Sequence, residues 1–421
     1  MFNFNRRQRQ SGAITIAITL ILIFLLGFMG ISLDFGRLFI VKTELQTAMD
    51  SCALAAAQEL DGQSTALTRA YSAGRNAGNL NNVNLQSTTW SDQGKIIDTD
   101  ITFKNSAYVS TIAPANARYA QCQHRQSNIN IWLLKAMGAF TGDTATYPTT
   151  QNVLAFAVAT RGSAQSTCPV PIALKPKSGG TAPNFGFVPG EWVTLLQQQN
   201  AAAGGQIGWA NLDGSNSASE TEAEMNGRCG TRINDTLGTP GVLASIADVW
   251  NGRFGIYKNN SGPSLNRPDL TGHAYTATNW PSGRNAYSGT PGTGAPATAE
   301  NFITKRVAFA NCANTGSQVK GANSCESITG LRLNGFQTLA TAGANGEHQQ
   351  YGFNRRIVLV PVVSGSRVTD FACMLMLQPM PIPMEDVKLE FLGNAGALNS
   401  PCTASGLPGG DAGPLVAVLV R

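Results

Sequence analysis

Charge is scarce in this sequence: Asp, Glu, Lys and Arg make up 13% of 421 residues, and only 3 residues are His. The formal net charge is +5, but Arg6, Arg7 and Arg9 crowd the extreme N-terminus, and the rest is close to neutral. No basic face is left for a phosphate backbone, which argues against nucleic acid as a partner. The chain has no G-x-S-x-G elbow, no H-E-x-x-H and no P-loop, so common signatures of hydrolases, metalloproteases and NTPases are missing. His124 lies beside Cys122 without a second pair to complete a zinc site, and His273 and His348 stand alone in loop-like sequence. The expectation is a non-enzymatic protein without a cofactor. No repeat of fixed period is visible.

Long apolar runs are also rare, with one exception. Residues 13–33 form a run broken only by Thr, Ser and Gly, and at 1.5 Å per residue it spans roughly 30 Å, the thickness of a hydrocarbon core. It is too long for the apolar part of a cleaved secretory signal, and Gly30-Ile31-Ser32 is a poor cleavage site. The reading is an uncleaved anchor. Arg6, Arg7 and Arg9 precede it and Asp34 is the first charge after it, which places residues 1–12 in the cytoplasm and the bulk of the chain outside.

No Pro occurs before Pro114, so nothing ends the helix at the membrane. Leu38, Val41, Leu45, Ala48, Cys52 and Ala55 recur at steps of three and four and predict a continuing helix with one buried face. Gly27 and Gly30 supply a close-approach face within the span. Residues 63–85 read as a helix end followed by loop. Strand-like pieces follow at 95–103, at 128–140 (running into a helical turn) and at 153–160.

After a turn-rich break, residues 168–350 are dense in Gly, Asn, Ser and Pro, with short strand candidates at 191–196 and 206–212, a helix candidate at 241–251 and a further strand candidate at 253–257. Four clearer strands follow at 356–363, 368–377, 387–392 and 414–420. The predicted class is α+β: a cytoplasmic segment 1–12, a membrane helix 13–33, a helix-plus-sheet head over 34–161, and a β-rich, disulfide-stapled region over 162–421. Cys52, Cys122, Cys168, Cys229, Cys312, Cys325, Cys373 and Cys402 are even in number, scattered and without a C-x-x-C pair, as structural disulfides in an oxidising compartment are. Locality alone suggests pairing in chain order.

Asp213-Gly214-Ser215-Asn216-Ser217 has the D-x-S-x-S form of a hard-cation site, but the flanking sequence lacks the strand–helix alternation of the fold that uses it. A hairpin turn is the expectation, with Asp213, Ser215 and Ser217 as the metal alternative. Glu220, Glu222 and Glu224 read as a solvated turn or helix start. Trp192, Trp209, Trp250 and Trp280 suit core packing, or alternatively a glycan- or protein-binding surface.

The N-terminal pattern is an Arg-rich start, Gly12, the apolar run ending in Leu33-Asp34-Phe35-Gly36-Arg37-Leu38, then Leu45-Gln46, Asp50 and Ala53-Leu54-Ala55-Ala56-Ala57. It resembles TadE/TadG-like proteins, membrane components of the tight-adherence (Flp, type IVb-like) pilus-assembly system, and within them the TadG type. The resemblance implies a pilin-like head, a bacterial inner-membrane location with the bulk periplasmic or surface-exposed, and partners among pilin-like subunits and the inner-membrane assembly platform. It also implies Gly12 as a processing position. Ala17 and Ile18 stand where processed pilins of this class carry Glu and commonly Tyr, which favours a minor component over a repeating subunit. The alternative is a membrane-anchored adhesin binding glycan or matrix through residues 168–350.

Overall fold

A computed structural model describes residues 11–83, 95–133, 149–197, 203–305 except 228, 241–245, 255, 259–268, 270–273, 278, 296 and 298, then 336–339 and 355–420 except 382–383 and 405, with isolated positions 135, 138, 142 and 143. Two compact units divide the chain: Met1–Arg161 with Ala417–Arg421, and Gly162–Val416. The last residues, Ala417–Arg421, belong with the first unit.

The first unit opens with α1 (Ser11–Gln58), one uninterrupted helix of 48 residues. A second helix follows, α2 (Ala66–Asn79), where the sequence suggests loop. Its buried face is Ala66, Ala70, Gly74 and Gly78, spaced four apart, and carries no large apolar side chain that would announce it. These small residues let α2 press against the small residues of α1. A Cβ at Gly74 would lie 3.2 Å from Ala56 Cβ, and one at Gly78 would lie 3.1 Å from Cys52 Cβ and 2.2 Å from Ile96 Cδ1. The alanine run of α1 is therefore a packing surface against a second helix.

A four-stranded sheet in the order β1-β2-β3-β12 completes the unit, from β1 (Ile101–Lys104), β2 (Tyr119–Asn130), β3 (Thr150–Ser163) and β12 (Leu415–Leu419). β1 with β2 and β2 with β3 are antiparallel. The inward residues of β2 include Ala120, Cys122, His124 and Gln126; Ala120 and Cys122 meet Ala155, Ala157 and Ala159 of β3 in one core with Val41, Leu45, Met49 and Phe103. Small inward side chains let α1 lie close to the sheet. His124 is tolerated there because Nδ1 sits 3.1 Å from Asp100 Oδ2.

The second unit is built on a closed barrel of order β10-β11-β5-β6-β4-β9. Its strands are β4 (Ile172–Leu174), β5 (Glu191–Leu195), β6 (Ile207–Trp209), β9 (Ile357–Ser364), β10 (Arg367–Met376) and β11 (Val387–Asn394). Closure removes free sheet edges. Ile172, Leu174, Val193, Leu195, Ile207, Trp209, Val358, Val360, Val362, Met374, Leu389 and Phe391 form the core of one face. A second core holds Leu359, Phe371, Cys373 and Leu375 from the other face, covered by Tyr275, Trp280, Ala286 and Phe302 of the loop-rich stretch. Burial on both faces is why β9 and β10 read as continuous apolar runs and not as alternating ones. Two short helices, α3 (Ala218–Met225) and α4 (Ile246–Gly252), and a two-stranded sheet of β7 (Ile256–Lys258) with β8 (Phe336–Leu339) lie outside the barrel.

Disulfides join Cys52 to Cys122, Cys168 to Cys229 and Cys373 to Cys402, each pair adjacent in chain order. Cys312 and Cys325 lie outside the described residues.

Candidate assembly helix

The environment of α1 changes at one place along its length. Below Asp34 its apolar side chains face outward, with Ile16 65%, Phe24 73% and Phe28 64% exposed. By length and composition it is the one helix among the described residues able to cross a membrane. Thr19 Oγ1 donates to Thr15 O at 2.8 Å, so its hydroxyl is satisfied by the helix itself. From Val41 onward the inward residues are fully buried.

The change is marked by Asp34, only 2% exposed. Its carboxylate accepts the Trp132 N–H at 3.0 Å and the Leu133 N–H at 2.8 Å. One turn on, Arg37 Nη1 donates to Asn130 O at 2.8 Å, and its guanidinium lies 4.2 Å from the centre of the Trp132 ring. Lys42 Nζ donates to Leu154 O, and Gln46 Nε2 donates to Phe156 O at 2.9 Å. Alternate carbonyls of a strand point the same way. Leu154 O and Phe156 O therefore lie on the edge of β3 that β12 occupies further along, where the Val420 N–H donates to Val158 O at 2.8 Å. The polar side chains of α1 cover the part of that edge that β12 leaves open. Cys52 then ties the helix covalently to β2 through Cys122.

Of the residues singled out on this helix, Val41, Leu45, Ala48 and Cys52 are buried and Leu38 packs at the margin of the same core. Ala55 is only half-buried; the buried arc passes instead through Ala53, Ala56 and Ala57. The arc is wider than the predicted stripe and turned to one side of it, because both α2 and the sheet cover α1. Gly27, half-buried, and Gly30, buried, lie within the apolar half, and Gly12 lies in the first turn. The sequence reading misses the partners of Asp34 and Arg37, which are brought to α1 from the distant end of β2.

Other singled-out residues do not converge. The Asp213 carboxylate accepts the Ser215 N–H at 2.9 Å, closing a turn, while Asn211 Nδ2 donates to Ser215 O, Ser215 Oγ and Ser217 O. Among the described residues no group of three or more His, Cys, Asp or Glu is placed to hold a metal ion. Glu220, Glu222 and Glu224 lie on α3, and Glu224 is not solvated: it is 1% exposed and accepts the Leu212 and Asp213 N–H groups. Trp209, Trp250 and Trp280 are core residues. Trp192 Nε1 donates to Glu390 Oε2 at 2.9 Å. His273 and His348 lie outside the described residues.

Glu390 carries the most displaced carboxyl described. It is fully buried, and burial pushes it up to about 7 against the pull of the Tyr287, Ala286 and Trp192 donors. A carboxyl raised in the folded state binds its proton more tightly there than in the unfolded chain. Its contribution to stability is therefore largest below about 4.5 and is lost as pH rises to about 7. Denaturant midpoints of the second unit should fall across that window by an equivalent of at most about 3 kcal/mol, and Glu390→Gln should flatten most of the slope. An unchanged slope in the variant would assign the pH dependence to other groups.

Residues 12–59 match the Tad family model, described as "Putative Flp pilus-assembly TadE/G-like". The match covers α1 almost end to end. No curated protein and no solved structure matches the chain significantly. The N-terminal helix of this chain, from the exposed apolar half through the buried alanine-rich half, is the part that is similar to the TadE/G-like Flp pilus-assembly family.

Proposed function

We propose that this protein is a minor-pilin-like, structural component of tight-adherence pilus assembly, of the TadG type. It is anchored in the bacterial inner membrane by residues 13–33, with its N-terminus cytoplasmic and its bulk periplasmic or surface-exposed. One observation carries the reading: the family match over residues 12–59 coincides with a single helix whose first half is outward-facing and apolar and whose second half is the core of a folded head. A helix shared in this way between lipid and head is the pilin-type design. Its outward half is the surface left for pilin-like subunits or the membrane platform, with Gly27 and Gly30 permitting close approach. On this reading the role is assembly, with no chemistry and no cofactor.

The disulfides agree with an oxidising compartment outside the cytoplasm. Burial of Trp209, Trp250 and Trp280 and closure of the Asp213 turn by Asn211 leave the adhesin alternative without a specific site among the described residues. The test is electron microscopy of a deletion strain beside its complemented parent, counting surface pili. Loss of pili restored by the full chain is expected. Normal pili with lost attachment would replace this reading with the adhesin one.

A further inference from the structure

We propose that the first unit docks directly on the bilayer surface, seating Phe35, Phe39 and Ile40 of α1 and Trp132 and Leu133 of the head in the lipid headgroup layer. The inference rests on residues 13–33 crossing the membrane.

Asp34 is the first charged residue beyond the apolar run, and its carboxylate is held by the backbone N–H groups of Trp132 and Leu133 at 3.0 and 2.8 Å. The head therefore reaches down to the level where the hydrocarbon ends, and no stalk separates the two. At that level the apolar side chains face outward: Phe35 is 50% exposed, Phe39 69%, Ile40 48%, Trp132 57% and Leu133 38%. Phe35 and Phe39 extend, in steps of four, the outward row that runs up from Ile31. The row rises about 9 Å past Leu33, comparable to a headgroup layer of about 5–8 Å on each side of the hydrocarbon. The polar side chains of the same stretch, Asp34, Arg37 and Lys42, are bonded to the head. One face of the helix thus stays apolar beyond the span while the other is already gripped.

The occupant follows from continuity. The patch is the upper end of the lipid-facing row, with no polar break between them, and it contains the residue type that favours the interface, a Trp with an amphipathic ring. Arg37 lies on that ring at 4.2 Å, and Lys135, two residues past Leu133, is exposed. Both place positive charge where lipid phosphates lie. Docking would fix the orientation of the head on the membrane and so the direction in which α1 presents its outward face.

The test uses the full chain in vesicles of phosphatidylethanolamine and phosphatidylglycerol containing a lipid with a nitroxide near its headgroup. Tryptophan quenching is compared between the wild type and Trp132→Phe, and flotation with alkaline-carbonate washing reports anchoring. The expected result is a quenched component in the wild type that Trp132→Phe lacks, persisting at less than one chain per vesicle and weakened by Phe39→Ser. Chains that remain anchored but show equal quenching with and without Trp132 would overturn docking and leave the anchor standing. A Trp132 component shielded from aqueous iodide only when chains are crowded would overturn it in favour of a second copy. Extraction of the chain by carbonate would overturn the anchor and docking together.

Discussion

Replacing Cys52 and Cys122 by Ala is expected to destabilise the first unit by about 4 kcal/mol, the chain-entropy value for a loop of this size, and to leave the second unit unaffected. The bridge spans 70 residues of sequence and joins α1 to β2 across a core in which both cysteines are fully buried. The loop it closes contains α2 and β1 as well as the long connection between them. Opening it frees a large denatured ensemble, and the lost sulfur volume leaves space where α1, α2 and the sheet meet. The second unit keeps Cys168–Cys229 and Cys373–Cys402, so its unfolding should not move. Hydrogen exchange of the full chain separates the two: protection of α2 amides should fall by about three orders of magnitude, with the β9–β11 amides unchanged. Equal loss in both units, or loss in neither, would contradict this placement of the bridge.

Asp34→Ala should be nearly as damaging, although it removes one small side chain. Two part-buried N–H groups, of Trp132 and Leu133, would lose a charged acceptor together, at about 1.5–3 kcal/mol each. Asp34→Asn keeps one acceptor oxygen and should recover part of the loss. The specific readout is exchange at those two amides, protected in the parent and open in the alanine variant. Unchanged protection there would mean that water or another group replaces the carboxylate.

The sequence shows some of these features and hides others for physical reasons. α1 is legible because a proline-free chain passes from a bilayer-length apolar run into a stripe of period near 3.6. β9, β10 and β11 are legible because burial on one or both faces fills them with Val, Leu, Ile and Met. α2 is hidden because its buried face is Ala66, Ala70, Gly74 and Gly78, which signals close packing and not hydrophobicity. β2 is hidden because its inward positions include His124 and Gln126. Barrel closure depends on β4 and β6, three residues each, and on parallel contacts of β4 with β9 and β5 with β6, which no local pattern announces. The Asp34 clasp joins residues 98 and 99 positions apart, a relation that only the fold creates.

On the proposed function, α1 acts as an assembly surface and not simply as a tether. Complementing a deletion strain with a chain whose residues 13–33 are exchanged for an unrelated apolar span of equal length, leaving Asp34 and the head intact, separates the two roles. The expected result is a stable, membrane-anchored protein that fails to restore surface pili, while the parent chain restores them. Full piliation by the exchanged chain would rule out an assembly surface in residues 13–33 and reduce the helix to an anchor.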